Sequence, residues 1–150
     1  MDLSYGSEYD AFREEVKSFI RSHKHKQPKP GDGIKSQAMR DWQSLLIEHG
    51  YHSRTIASEY GGYGAEPDII KSRIIAEEFG AERVHRGFNG QGVTMLTPVL
   101  LEMGTEEQKK AFVEPTIKAD MIWCQGYSEP GAGSDLASLT TKAELDGDEW

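Results

Sequence analysis

Apolar residues return every three to four positions from the start of the chain: Tyr5, Tyr9, Phe12, Val16, Phe19 and Ile20, with Glu14, Glu15 and Lys17 between them. That period predicts an amphipathic helix over roughly 7–23. Pro28 to Gly33 follows as a linker. A second helix is expected over about 35–49, with Ala38, Trp42, Leu45 and Leu46 on one face and Gly50 as its stop. Residues 51–66 form a loop rich in Gly and Tyr. Pro67 suits a first helical turn, so a third helix is expected from there to about Phe79. Its Ile69, Ile70, Ile74, Ile75 and Phe79 make it broadly apolar and predict thorough burial. Gly87 to Gly92 breaks the pattern; the apolar stretch Val93 to Met103 carries Pro98 as a kink or restart, and Gly104 closes it. Thr105-Glu106-Glu107-Gln108 is a capping box, opening a short helix expected to end before Pro115.

From Met121 the period falls to two. Met121-Ile122-Trp123 reads as a strand, and Leu139, Thr141, Ala143 and Leu145 alternate with Thr140, Lys142 and Glu144. About five helices followed by strands predict an α+β chain of two segregated units, an all-α bundle over 1–120 and the first strands of a β-unit over 121–150. Glu144 to Trp150 reads as a strand, an Asp-Gly hairpin turn and the start of a returning strand. An unfinished hairpin edge is an unusual terminus, so the expectation is the front portion of a longer protein.

Composition narrows the class. A hydrophobic fraction of 37% and a charged fraction of 28% suit a globular protein, and 150 residues can enclose a sizeable core. No apolar run is long enough for a transmembrane helix, and Met1 to Gly6 has no secretory pattern, so no membrane association is expected. The net charge of −8 argues against nucleic acid as a partner. The single Cys124 has no internal disulfide partner, which fits a reducing, cytoplasmic setting; it is expected to be a small buried hydrophobe, with Trp123 beside it in the core. His23-Lys24-His25-Lys26 reads as a solvated helix end, and no metal site is expected.

The chemistry concentrates in Trp123-Cys-Gln-Gly-Tyr-Ser-Glu-Pro-Gly-Ala-Gly-Ser-Asp135. An aromatic strand runs into a turn with two hydroxyls, Ser128 and Ser134, and two glycines, Gly131 and Gly133, that let a ligand approach the main chain. Glu129 precedes Pro130 and is pushed to extended backbone. Such a segment suits a flat, heteroatom-rich cofactor with a phosphate tail. No helix-opening G-x-G-x-x-G follows a strand, so it is not the dinucleotide fingerprint.

The ordered run Ser128-Glu-Pro-Gly-Ala-Gly-Ser-Asp135 closely resembles the signature of the acyl-CoA dehydrogenase family. Trp42-Gln43 with Leu45-Leu46, Ser58-Glu-Tyr-Gly-Gly-Tyr-Gly64, Ala76-Glu-Glu-Phe-Gly80 and Gly104-Thr-Glu-Glu-Gln-Lys109 are similar to other family segments, in the same order. The resemblance runs from about residue 7 to residue 150. It implies an N-terminal helical domain followed by the start of a β-barrel-like middle domain, with FAD as cofactor. It implies cofactor contacts from Gln125, Gly126, Tyr127, Ser128, Gly133 and Ser134, with the Ser128 hydroxyl near the reactive edge of the flavin. Substrate contacts are implied for Ser134, Gly90 and Thr94, while Asp135 is expected to fix the turn. The family removes two hydrogens across the α,β bond of an acyl-CoA thioester and passes electrons to an electron-transfer flavoprotein. Its base is a glutamate expected beyond residue 150, so no catalytic residue is assigned and the isolated segment is expected to be inactive. Family members are usually homodimers or homotetramers. The alternatives are a non-catalytic FAD- and CoA-binding partner subunit of a heteromeric dehydrogenase, and an acyl-CoA oxidase-like relative.

Overall fold

The computed structural model describes residues 5–150. Five α-helices are present among them: α1 Ser7–His23, α2 Gln37–Glu48, α3 Ile69–Ala81, α4 Thr97–Met103 and α5 Glu106–Ile117. A π-helical turn, Gly92–Leu96, leads directly into α4, so Pro98 sits in the first turn of a continuing helix and does not break one.

The helices close around two apolar clusters. Phe12, Val16, Phe19 and Ile20 of α1 meet Trp42 and Leu46 of α2 and Ile74, Ile75 and Phe79 of α3. Ile47 joins Val113 and Ile117 of α5 in a second cluster, flanked by Ile56, Tyr60, Leu100 and Leu101. Arg13 braces α1 against α3 through Glu77 and Glu78. The Tyr60-Gly61-Gly62 turn lies directly on α5. Gly61 takes φ +82°, a Cβ there would come within 2.6 Å of Glu114 Cγ, and the Tyr60 hydroxyl donates to Glu106 at 2.8 Å.

The helix ends follow local chemistry. Ser36 caps α2 by accepting from Met39 N at 3.2 Å. The capping box of α5 forms as expected, with Thr105 Oγ1 accepting from Gln108 N at 3.3 Å and Gln108 Oε1 from Thr105 N at 2.9 Å. Asp68, not Pro67, begins α3: its carboxylate accepts from Ile70 N and Lys71 N, both at 2.9 Å.

Several expectations change. α3 is not buried all round, because Ile69 in its first turn is 85% exposed while Ile74 and Phe79 fill the core. α5 runs through Pro115 to Ile117. The proline sits in the last turn and forfeits one main-chain bond there, a local cost outweighed by burial of Val113, Thr116 and Ile117, which favours continuation. The expected strands over 121–150 do not form among the described residues; only isolated bridges join Glu129 with Ala132 and Asp146 with Glu149. The alternating segment from Leu139 meets no partner strand and buries neither face, and a lone strand leaves its main chain unpaired. The Asp146-Gly147 turn is present, with Gly147 at φ +66°, but no ladder extends from it. No helix among the described residues is long and apolar enough to cross a membrane.

Candidate functional site

One wall of the site is the helical run from Gln91 through α4; the other is the extended segment after α5. Between them lies a groove of about 400 Å³, lined by Gln91, Met95, Leu96 and Val99 on one side and by Trp123 to Tyr127 on the other. Met95, Val99 and Tyr127 leave 50%, 58% and 74% of their surface open, so the groove offers an apolar face well beyond what a core requires. The Gln91 and Gln125 side chains meet across it at 3.4 Å.

Both walls hang on one buried side chain. Gln43 of α2 is fully buried. Its Nε2 donates to Ile117 O at 2.7 Å and to Phe88 O at 3.3 Å, and its Oε1 accepts from Phe88 N at 2.8 Å. The end of α5 and the loop entering the π-helical turn are thereby held together. Trp42 adds a bond from Nε1 to His85 O at 2.7 Å. His52 packs beside Gln43, with its Nε2 at 3.1 Å from Asn89 Oδ1 and its Nδ1 at 2.8 Å from Ser53 Oγ. Burial pushes the His52 pKa below its usual value, against smaller raising effects from Asn89 and Phe88.

Trp123 ties the extended wall to the helical unit. Its Nε1 donates to Thr116 Oγ1 at 2.8 Å, and its ring meets Phe112 edge-on at 5.8 Å. Gly92 makes this approach possible, since a Cβ there would lie 2.4 Å from Trp123 Cδ1. Trp123 is therefore half-buried groove wall, and Cys124, expected to be buried, is exposed on the same wall. The reason is shared: the extended segment lies along the surface of the helical unit and only the indole turns inward.

The main-chain N–H and C=O groups of Cys124 to Ser128 have no protein partner among the described residues. Of the residues singled out in sequence, Gln125, Gly126 and Tyr127 line the groove. Ser128, Gly133 and Ser134 continue from it along an exposed turn. Gly90 and Thr94 are not brought to the groove: a Cβ on Gly90 would meet Phe88 Cζ at 2.3 Å, and the exposed Thr94 hydroxyl donates back to Gly90 O at 3.2 Å. Met95, Leu96 and Val99, missed in sequence, carry the apolar character; their helical spacing with Gln91 was the available signal.

Glu129 was also missed. Its carboxylate accepts from the main-chain N–H and hydroxyl of both Thr140 and Thr141, at 3.0 and 2.9 Å for Thr140 and 2.6 Å for Thr141 N. These donors, the Thr141 hydroxyl foremost, pull the Glu129 pKa down to about 2.

The bundle of helices thus ends in an open apolar wall faced by an unpaired, glycine-bearing segment. The family model described as acyl-CoA dehydrogenase, N-terminal domain, matches residues 6–120, and the chain belongs to the acyl-CoA dehydrogenase family. It is 39% identical over 113 residues to the acyl-CoA dehydrogenase IpdE1 of Mycobacterium tuberculosis, covering 74% of this chain and 28% of that protein. Among solved structures, the Tcur3481-Tcur3483 steroid ACAD superposes with a TM-score of 0.65 at 30% identity, over 99% of this chain and 38% of the other. The ChsE4-ChsE5 complex from Mycobacterium tuberculosis gives 0.64 at 29% identity, over 99% of this chain and 37% of the other. The chain therefore spans between 28% and 38% of the length of these relatives.

Proposed function

We propose that the chain supplies one wall of the flavin and substrate site of an FAD-dependent dehydrogenase that desaturates an acyl-CoA thioester between its α and β carbons. The observation that carries this reading is the groove between the Gln91–Val99 helical face and the Trp123–Tyr127 segment, continuous with the Ser-Glu-Pro-Gly-Ala-Gly-Ser-Asp turn.

The residues present fit such a cofactor. Its flat ring needs an apolar surface with hydrogen-bonding groups at the edge. Trp123 and Tyr127 offer the surface, and the unpaired main chain of Cys124 to Ser128 offers the edge groups. Nothing lies within 4 Å of where a Cβ would stand on Gly126, Gly131 or Gly133, so the main chain is open to close approach there. FAD, when bound, supplies the two-electron acceptor. Gln125, Gly126, Tyr127 and Ser128 would hold its ring, and Gly133 and Ser134 its pyrophosphate, with Ser134 also meeting the CoA arm. Met95, Leu96 and Val99 would take the acyl chain and exclude water from it. Gly90 and Thr94 would then act behind the wall, through the position of the π-helical turn.

No carboxylate lines the groove among the described residues, so the group that removes the α-proton belongs to another part of the complete protein. Electron-transfer flavoprotein as the acceptor, and a homodimeric or homotetrameric full-length protein, complete the reading. A second reading has one specific support: the two solved relatives above are named as pairs of chains, one of them as a steroid ACAD. On that reading the chain belongs to one subunit of a two-chain dehydrogenase for a bulky acyl thioester.

The test is anaerobic spectroscopy of the complete protein with FAD and a panel of acyl-CoAs. Bleaching of the flavin band supports the first reading. Bleaching only when a second subunit is added supports the second. A protein that takes up no FAD in either setting removes both.

A further inference from the structure

Glu129 is held by more bonds than any other side chain of the signature turn. Its Oε2 accepts from Thr140 N and Oγ1, and its Oε1 from Thr141 N and Oγ1, so one carboxylate engages four donors eleven and twelve residues away. Its own main chain closes the turn, with reciprocal bonds of 3.1 Å between Glu129 and Ala132. Ser138 Oγ adds contacts to Gly131 O at 3.3 Å and Asp135 O at 2.9 Å. Ala132 is enclosed, at 2% exposure, while its neighbours Gly131 and Gly133 stay open. No cation pairs with Glu129 among the described residues. The carboxylate faces donors only, two main-chain N–H groups and two hydroxyls.

We infer that Glu129 is a positioning residue: its carboxylate latches Thr140-Thr141 onto the signature turn and so fixes the direction in which Ser128 and Gly131 to Ser134 leave the groove wall. The inference rests on the flavin reading of that wall. An amide cannot replace the carboxylate. It has one acceptor oxygen, and its NH₂ would face the donors of one threonine. One threonine thereby loses its acceptor, and the bonds that remain to the other are weakened by the loss of charge.

The test uses the complete protein, with Glu129→Gln as the main variant and the double variant Thr140→Val, Thr141→Val as a milder one that keeps both main-chain N–H bonds. Amide hydrogen exchange at Thr140 and Thr141 reads the latch itself. Quenching of FAD fluorescence reads its consequence, and thermal unfolding reads the helical unit. For Glu129→Gln, exchange at both amides is expected to rise about tenfold and FAD affinity to fall about tenfold, with the unfolding temperature within a few degrees of native. The double variant is expected to weaken FAD by about threefold. Unchanged exchange in Glu129→Gln overturns the latch. Faster exchange with FAD affinity unchanged in both variants overturns the positioning role. A native protein that binds no FAD while Glu129→Gln still loosens the two amides locates the failure in the flavin reading; the positioning role falls with it, and the latch stands.

Discussion

Gly92→Ala and Gly80→Ala are the same chemical change in two helical settings, and the structure assigns them opposite signs. Gly80 lies near the end of α3, exposed, with nothing within 4 Å of an added Cβ. Alanine there gains helix propensity and loses only unfolded-chain freedom, a stabilisation of about 0.5–1 kcal/mol. Gly92 has the same propensity to gain, but its Cβ would sit 2.4 Å from Trp123 Cδ1 and 2.8 Å from Thr116 Cγ2. Ordinary carbon contacts lie near 3.5 Å, so the indole must retreat by about 1 Å. That retreat strains or breaks its 2.8 Å bond to Thr116 Oγ1. Overpacking of this kind costs about 1–3 kcal/mol and the lost bond about 1 kcal/mol, which outweighs the propensity gain. The expected net effect is a destabilisation of about 1–3 kcal/mol. Urea unfolding gives both numbers, and the emission of Trp123, isolated by replacing Trp150 with Phe in every variant and comparing against a Trp123→Phe background, reports the indole's exposure. A red shift should accompany Gly92→Ala alone. If Gly92→Ala stabilises as much as Gly80→Ala and emission does not move, the close approach that builds this wall of the groove is wrong.

Three further outcomes follow from the hydrogen-bonded polar groups, two of them buried. Gln43→Leu strips partners from Phe88 N, Phe88 O and Ile117 O together and should cost about 2–4 kcal/mol in urea unfolding; a loss under about 0.5 kcal/mol would show that the hub does not hold the walls. The Glu129 carboxylate, with its pKa lowered from 4.5 to about 2, keeps its latch complete above 4.5 and loses it as pH falls toward about 2; a carboxyl NMR titration with its midpoint near 4.5 would contradict the four-donor geometry. His52 is held neutral by burial, so below its usual 6.5 the unfolded chain takes up a proton that the folded chain refuses, and stability falls with pH; His52→Gln should flatten that slope, and an unaltered slope counts against a buried neutral imidazole.

The helices were legible because their signals are local. The apolar spacing of Phe12, Val16, Phe19 and Ile20 gives α1 its buried face, and Thr105 with Gln108 marks the start of α5 within a single turn. The strands were not, because alternation over 139–145 states a preference that only a partner strand can realise. Pro115 misled for a related reason: the local cost of proline was outweighed by burial of Thr116 and Ile117, a tertiary effect. At the site, the sequence pointed to Gln125, Gly126 and Tyr127, which line the groove, because the signature is contiguous. The opposite wall and the two fixing side chains escaped. Gln43 bonds across 45 and 74 residues. One clue was available, since Gln43 falls on the apolar face of α2 among Met39, Trp42, Leu46 and Ile47, where an uncharged polar residue must find partners. Glu129 had no comparable clue, because two threonines eleven and twelve residues downstream form no pattern that local geometry can read.

The central claim is that the segment after α5 and the helical face before Met103 form one wall of a flavin and acyl-chain site. A crystal structure of the complete protein grown with FAD and an acyl-CoA tests it most directly. The account predicts the flavin ring lying along the main chain of Gln125 to Ser128 and the acyl chain against Met95, Leu96 and Val99. A structure in which this groove is filled by side chains of another domain, with the flavin bound elsewhere or not at all, would contradict it.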